Sequence, residues 1–135
     1  MKTIFDPVNL GNLTIKNRMI RSATLETAAA ADGIITPLLR EIYEELAKGG
    51  IGLIITGMMG VGPNACVNSS MTKIYGEAFL PKFKNVVNTV HENECKIVVQ
   101  LGQCGAKATV IDKGDHPYSP SDTASFIEKP AQAMT

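Results

Sequence analysis

The stretch that decides the fold is Lys96-Ile97-Val98-Val99-Gln100-Leu101-Gly102-Gln103-Cys104-Gly105. An apolar, β-rich run ends at Gln100-Leu101, and a glycine-containing loop follows directly. In α/β proteins, ligands bind at this carboxyl end of a parallel strand. The Gln100 carboxamide offers a donor and an acceptor side by side. It therefore suits the alternating polar edge of a flavin or a nucleobase.

Similar apolar runs precede this stretch, and amphipathic helices alternate with them. Thr36-Pro37 predicts a helix start, because a hydroxyl N-cap is followed by proline at the first helical position. Gly49-Gly50 predicts the end of that helix. The predicted elements are, in order, a small hairpin over Leu10–Ile15, a strand over Met19–Ala23, the helix from Pro37, a strand over Ile51–Thr56, a helix over about Pro81–Glu92 with Asn93 as a left-handed cap, and a strand over Lys96–Leu101.

This order, β-α-β-α-β after a small hairpin, predicts an α/β fold with a parallel sheet. The sheet is either doubly wound or a slice of a (β/α)8 barrel. A complete barrel needs about 250 residues, and these 135 residues supply about three of its eight units. The last segment, Ser119–Thr135, shows neither a strand nor a helix pattern.

Charge and composition exclude several function classes. Thirteen basic and thirteen acidic residues give a net charge of zero, which does not favour a nucleic-acid or anionic-membrane partner. The apolar runs are too short to span a bilayer, and the amino terminus leaves no room for a signal-peptide core. The three cysteines lack CxxC spacing, which indicates reduced thiols in a cytoplasm. The carboxylate spacing suggests no metal site.

Three other features of the sequence have simpler explanations than phosphate binding or catalysis. Gly57–Gly62 follows a strand as a phosphate loop would, but no helix opens within it to meet a phosphate. A loop that lets a ligand approach closely is the better interpretation. His91 ends the second predicted helix, where it complements the helix dipole. Cys104 is more consistent with a small packed side chain than with a reactive thiol.

A series of short motifs runs in one order from about Phe5 to the end of the chain. The motifs are Phe5-Asp6-Pro7, Leu10-Gly11, Leu13-Thr14-Ile15-Lys16-Asn17-Arg18, Asp32-Gly33 with Thr36, the segment Gly49–Gly57, His91, Gln100-Leu101 with Gly105, and Ser119-Pro120-Ser121. Together and in this order they resemble the Old Yellow Enzyme family of NADH:flavin oxidoreductases.

The resemblance implies an FMN-binding (β/α)8 barrel. In such a barrel NAD(P)H reduces the flavin, which passes hydride to an activated alkene or enoyl substrate. Carried over by position, Ser22, Ala23 and Thr24 would lie against the flavin, largely through their backbone. Met58 would take the next contact position, and Gln100 would hydrogen-bond the pyrimidine edge of the ring.

Some positions depart from the family pattern. Family members often have Pro-Met where Ala23-Thr24 stand here, and Gln103 and Ala106 replace the histidine and arginine of the third-strand motif. The pattern is similar to the branch of 2-enoate and 2,4-dienoyl-CoA reductases. Longer members of that branch add an iron–sulfur cluster, which is expected here only in a longer parent. The family's substrate-binding histidines and phosphate-gripping loops would lie beyond Thr135.

The main hypothesis is that residues 1–135 are a partial FMN-binding barrel domain, the N-terminal portion of an ene-reductase-type enzyme and inactive alone. An alternative is a small non-catalytic α/β binding or interaction protein that retains a partial flavin pocket. Three parallel strands leave unpaired edges, so this alternative predicts a homo-oligomer that covers them. A doubly wound phosphate-binding domain is a third alternative, weakened by the absent fingerprint.

Overall fold

A computed structural model describes residues 1–113, 115–125 and 127–134. Two helices lie among short strands. The elements are β1 (Val8–Leu10), β2 (Leu13–Ile15), β3 (Ile20–Arg21), α1 (Pro37–Lys48), β4 (Leu53–Ile55), β5 (Met59–Gly60), α2 (Leu80–Glu92), β6 (Lys96–Val98), β7 (Leu101–Gly102), β8 (Tyr118–Ser119) and β9 (Gln132–Ala133), with 3₁₀ turns at Glu77–Phe79 and Gly105–Lys107.

The central sheet is parallel, and its strands follow chain order, β3-β4-β6. Ile20 is level with Leu53 and Lys96, while Ile54 is level with Ile97. Helices α1 and α2 pack against each other. They cover the face that carries Ile54 and Ile97. A separate antiparallel pair, β1-β2, precedes the sheet.

Helix α1 forms where its end signals predict. The Thr36 side chain accepts a hydrogen bond from the Leu39 amide at 3.2 Å, and Pro37 occupies the first turn. Gly50 follows the helix with φ +90°, a conformation that glycine adopts without steric cost. The buried positions Leu39, Tyr43 and Ala47 lie four residues apart, so one stripe of the helix faces the sheet.

Helix α2 ends differently from the prediction. Asn93 has φ −96°, whereas Glu94 is left-handed at φ +54°. The Glu94 amide donates to the His91 carbonyl at 2.9 Å, and the Cys95 amide donates to the Val90 carbonyl at 3.3 Å. These two bonds are those of a Schellman motif, which places its left-handed residue one position after the cap. The prediction of Asn93 as the left-handed residue was therefore wrong.

The core lies between the helices and the sheet. It consists of fully or nearly buried side chains from both layers, and Phe83, Leu46 and Ile97 pack against its edge. Its members are Ile35, Leu39, Tyr43, Ala47, Ile54, Val86, Val90 and Cys95. On the opposite face, Ile20 and Val98 of the two outer strands remain 45% and 43% exposed, whereas Leu53 of the central strand is 5% exposed.

The strands are shorter than predicted, and two regions were assigned wrongly. The predicted strand Lys96–Leu101 is interrupted at Val99 and Gln100, so it forms β6 and then β7. β7 pairs with β5, which lies inside the predicted loop after Thr56. The expectation that Ser119–Thr135 has no strand is also wrong, because Tyr118–Ser119 pairs in parallel with Gln132–Ala133. The end of that segment, Thr135, lies outside the described residues.

Candidate functional site at the strand ends

Gln100 lies just after β6, and its backbone is held on both sides. Its amide donates to the Thr56 hydroxyl at 3.2 Å, and its carbonyl accepts from the Met59 amide at 2.8 Å. The side chain is exposed. Within the described part of the chain, its carboxamide has no hydrogen-bond partner. Such a fixed backbone and free amide are what a recognition residue requires.

Met58 lies between β4 and β5 and is half-buried. Its side chain lies against Gly102, so closely that a Cβ added to Gly102 would overlap it. The β5-β7 pairing brings Met59 level with Leu101. Met58 and Gln100 consequently belong to the same small region, where the backbones of two strands approach each other closely.

Ser22, Ala23 and Thr24 follow β3 at the carboxyl end of the neighbouring strand. Ser22 and Thr24 are exposed, and Ala23 is half-buried. The Thr24 carbonyl lies against Gly57, the residue that precedes Met58. Thr24 lies against Gly57, which leads into Met58, and the next amide, that of Met59, donates to the Gln100 carbonyl, so the five predicted residues lie at one edge of the sheet.

A buried polar group beneath this edge was missed by sequence reasoning. The side chain of Glu26 is only 8% exposed, and Arg21 Nη2 lies 3.8 Å from its Oε1. Among the described atoms, that Oε1 has no hydrogen-bond partner. The Gly57 amide donates to the Tyr43 hydroxyl at 3.4 Å. Burial above all, and then the negative charge of Glu26, raise the pKa of Tyr43 well above its ordinary value of 10.0.

Only one weak sequence signal pointed to this group. Arg21 is a charged residue at the end of an otherwise apolar strand, where a partner carboxylate is required. Glu26 lies in a loop, where carboxylates are common, and Tyr43 lies on an amphipathic helix, where phenols are common. Their proximity depends on how α1 packs on the sheet.

The strand-end residues fit the polar ring edge of a flavin. The Gln100 carboxamide supplies both a donor and an acceptor, while the space beside Gly57 and Gly102 is filled by Glu26, Thr24 and Met58 of the protein itself. These residues suit the ring of a flavin and not its phosphate. The reason is that the nearby cation, Arg21, already faces Glu26 and donates to the Ser22 carbonyl at 2.7 Å.

Other chemistries find little support in the described residues. They contain no group of three or more potential metal ligands. Burial raises the pKa of all three thiols, Cys66, Cys95 and Cys104, which makes them poor nucleophiles. In the same residues, no helix has the length and apolar character needed to cross a bilayer.

Comparison with known proteins identifies the family. Residues 3–134 match the NADH:flavin oxidoreductase / NADH oxidase family. The N,N-dimethylglycine/sarcosine dehydrogenase of Chromohalobacter salexigens is 35% identical over 109 residues, which are 78% of this chain and 15% of that protein. The cinnamate reductase of Clostridium sporogenes is 35% identical over 105 residues, which are 74% of this chain and 16% of that protein.

The fold comparison agrees. The structure of Old Yellow Enzyme from Pichia sp. AKU4542 matches with a TM-score of 0.87 and 25% identity, covering 98% of this chain and 37% of that one. The chain belongs to the NADH:flavin oxidoreductase / NADH oxidase family. The resemblance and the α/β class are thus confirmed, and FMN and NAD(P)H are the cofactor and reductant of this family. The chain spans less than a fifth of the length of the two curated relatives.

Proposed function

We propose that this chain supplies one side of the FMN pocket of an ene-reductase-type oxidoreductase. The observation that carries the proposal is Gln100, whose backbone is bound to Thr56 and Met59 while its carboxamide has no hydrogen-bond partner among the described residues. A side chain in that state can hydrogen-bond a ligand without breaking bonds within the protein. Its position at the carboxyl end of a parallel strand is the usual ligand position in α/β barrels.

Each of the predicted residues has a defined task in this proposal. Gln100 donates to and accepts from the pyrimidine edge of the ring. Met58 packs a polarizable side chain against the ring, and the backbone of Ser22, Ala23 and Thr24 borders it on the neighbouring strand. When bound, FMN supplies hydride transfer from NAD(P)H to an acceptor. The protein's contribution is to hold and orient the ring and to shape its surroundings.

We infer that the acceptor is a small molecule with an activated alkene or enoyl group. The support is the name of one relative, a cinnamate reductase that is 35% identical over the matched residues. Another relative carries the name of an N,N-dimethylglycine/sarcosine dehydrogenase, so the two names share oxidation–reduction and differ in substrate. Oxidation–reduction is thus the part of the proposal that both relatives support.

The surfaces support the proposal that residues 1–135 are an N-terminal, three-unit portion of a barrel. Both flanks of the helix layer are apolar and open. A groove of about 640 Å³ on one flank is lined by Leu38, Ile42, Leu46 and Ile51. A groove on the other flank is lined by Leu80, Phe83 and Val87. Neighbouring helices of a barrel would cover both flanks. Because the phosphate clamp is expected in late barrel loops, the chain alone would bind FMN weakly and lack turnover.

Its three free thiols suit the reducing cytoplasm that we propose for it.

A second candidate function is favoured by the same open flanks. A small non-catalytic α/β protein that retains part of a flavin pocket would cover them by self-association. That form would be a homo-oligomer at micromolar concentration. Analytical ultracentrifugation separates the two candidates, because the alternative requires a defined oligomer whose affinity for FMN is independent of any further chain.

A titration of the purified chain with FMN, followed by flavin fluorescence, tests the proposed function. Saturable binding in the micromolar range is expected. Gln100→Leu should weaken it about tenfold, as loss of one well-placed polar contact does. Gln132→Leu is the matched control, since Gln132 is an exposed glutamine on β9, and should leave the affinity unchanged. Equal affinities in Gln100→Leu and the wild type would contradict the role of Gln100.

A further inference from the structure

Arg21 and Glu26 form a pair directly beneath the turn Ser22–Thr24. Arg21 Nη1 donates to the Ser22 carbonyl at 2.7 Å and also to the Thr24 hydroxyl. Arg21 Nη2 lies 3.8 Å from Glu26 Oε1. One guanidinium therefore binds both ends of the turn with one nitrogen and faces a carboxylate with the other. The planar guanidinium presents donors in a fixed fork, so the turn and the carboxylate hold each other in one arrangement.

Glu26 links this turn to the next strand end. Its Oε2 lies against Gly57, as does the Thr24 carbonyl. The Gly57 amide donates to Tyr43, which is 1% exposed. A side chain at position 57 would displace Glu26 or Thr24. Gly57 thus permits the carboxylate to approach the backbone that leads into Met58.

The burial of the pair makes its two members interdependent. The side chains of Arg21 and Glu26 are 24% and 8% exposed. A carboxylate so far removed from water is strongly disfavoured unless a cation faces it. Removal of either partner therefore leaves the other without its counter-charge beneath the turn and weakens the arrangement that holds the turn in place.

We propose that Arg21 and Glu26 are positioning residues that hold the backbone of Ser22–Thr24 in the orientation that borders the flavin ring. They act through the turn and make no contact with the ring themselves. This inference rests on the proposed function for the identity of the ligand. The order of the turn is a property of the ligand-free chain, so that part of the inference does not depend on the proposed function.

The experiment compares Arg21→Lys, Glu26→Gln and a control with the wild-type 135-residue chain. Lysine keeps a cation beside Glu26 but lacks the fork, so Arg21→Lys guards against loss of the fold. Glu44→Gln is the control, because it removes an acidic partner from an ion pair at 2.9 Å on the outer surface of α1. The two readouts are the ¹⁵N backbone order parameters of Ala23 and Thr24 without ligand, and the dissociation constant for FMN.

The wild type and Glu44→Gln are expected to have order parameters of about 0.85 at these two residues. Arg21→Lys and Glu26→Gln should lower them toward about 0.6 and weaken FMN binding about tenfold. Order parameters unchanged in both variants would overturn the positioning role. Loosening of the turn with unchanged FMN affinity would overturn its connection to the flavin. Absence of saturable FMN binding in the wild type would overturn the proposed function, and the positioning role toward the ring with it.

Discussion

The two faces of the central sheet differ sharply in how they are covered. On one face, Ile54 is fully buried beneath α1 and α2. On the other, Ile20 and Val98 are 45% and 43% exposed, although they are just as apolar. The difference teaches that the two helices of this chain bury one face of the sheet, while the outer strands of the other face stay partly exposed. In the proposed barrel, that second face would line the interior.

The largest effect is expected on the covered face. Leu39→Ala should lower the free energy of unfolding by about 2–5 kcal/mol, because Leu39 is 1% exposed in the core and truncation leaves a cavity there. Urea denaturation followed by circular dichroism measures the loss. A change below about 1 kcal/mol would mean that the helix layer is not packed against the sheet as described.

At the strand ends, Gly102→Ala should lower the free energy of unfolding by about 1–3 kcal/mol, as overpacking typically does. The added methyl would overlap the Met58 side chain. The double variant Gly102→Ala with Met58→Ala should recover part of the loss, because the two changes share one contact. Strict additivity in the same denaturation assay would contradict the close approach of β7 to Met58.

Tyr43→Phe tests the buried polar group behind the strand ends. Removing the hydroxyl deprives the Gly57 amide of its partner at 3.4 Å, so a loss of about 1 kcal/mol is expected at neutral pH. The same hydroxyl has a raised pKa. Its neutral form therefore favours the folded state below pH 10.0, and this contribution falls as the pH rises further.

A comparison of unfolding free energies between pH 8 and pH 11 measures that difference. The wild type should lose more stability than Tyr43→Phe over this interval. A parallel decline in the two proteins would show that Tyr43 is no less able to ionise in the folded state than in the unfolded one.

The smallest effect is expected on the open face. Val98→Ser should change stability by less than about 0.5 kcal/mol, as exposed substitutions usually do, because Val98 is 43% exposed. A loss comparable to that of Leu39→Ala would mean that the face is covered in solution. Sedimentation of the wild type at several concentrations would then identify a second copy as the cover.

Local signals predicted the helices well. Thr36-Pro37 and Gly49-Gly50 bracket α1 as expected, because caps act through residues close in sequence. Prediction was less successful where pairing partners are distant. The interruption at Val99 and Gln100 depends on the pairing of β7 with β5, and the strand at Tyr118–Ser119 exists only through its pairing with β9.

The candidate site likewise contains residues that local sequence reveals and residues that it does not. Gln100 could be selected from sequence, because an amide at the end of an apolar strand stands out within a few residues. The Arg21–Glu26 pair could not be recognised as such. Arg21 ends β3 and Glu26 lies in the loop that follows, and both approach Tyr43 of α1 only after the helix has packed on the sheet. The roles of Ser22, Ala23, Thr24, Met58 and Gln100 all remain predictions that the FMN titration and its variants address.

The sequence by itself determined the order of the two helices and the three strands of the central sheet, the ends of α1, the family and the candidate residues of the site. These follow from periodicity, caps and motifs, which act over a few residues. Only the tertiary structure decided which face of the sheet is covered, where the strands break and how Arg21, Glu26 and Tyr43 meet beneath Gly57. Those outcomes depend on burial and on pairing between distant segments, which no local pattern contains.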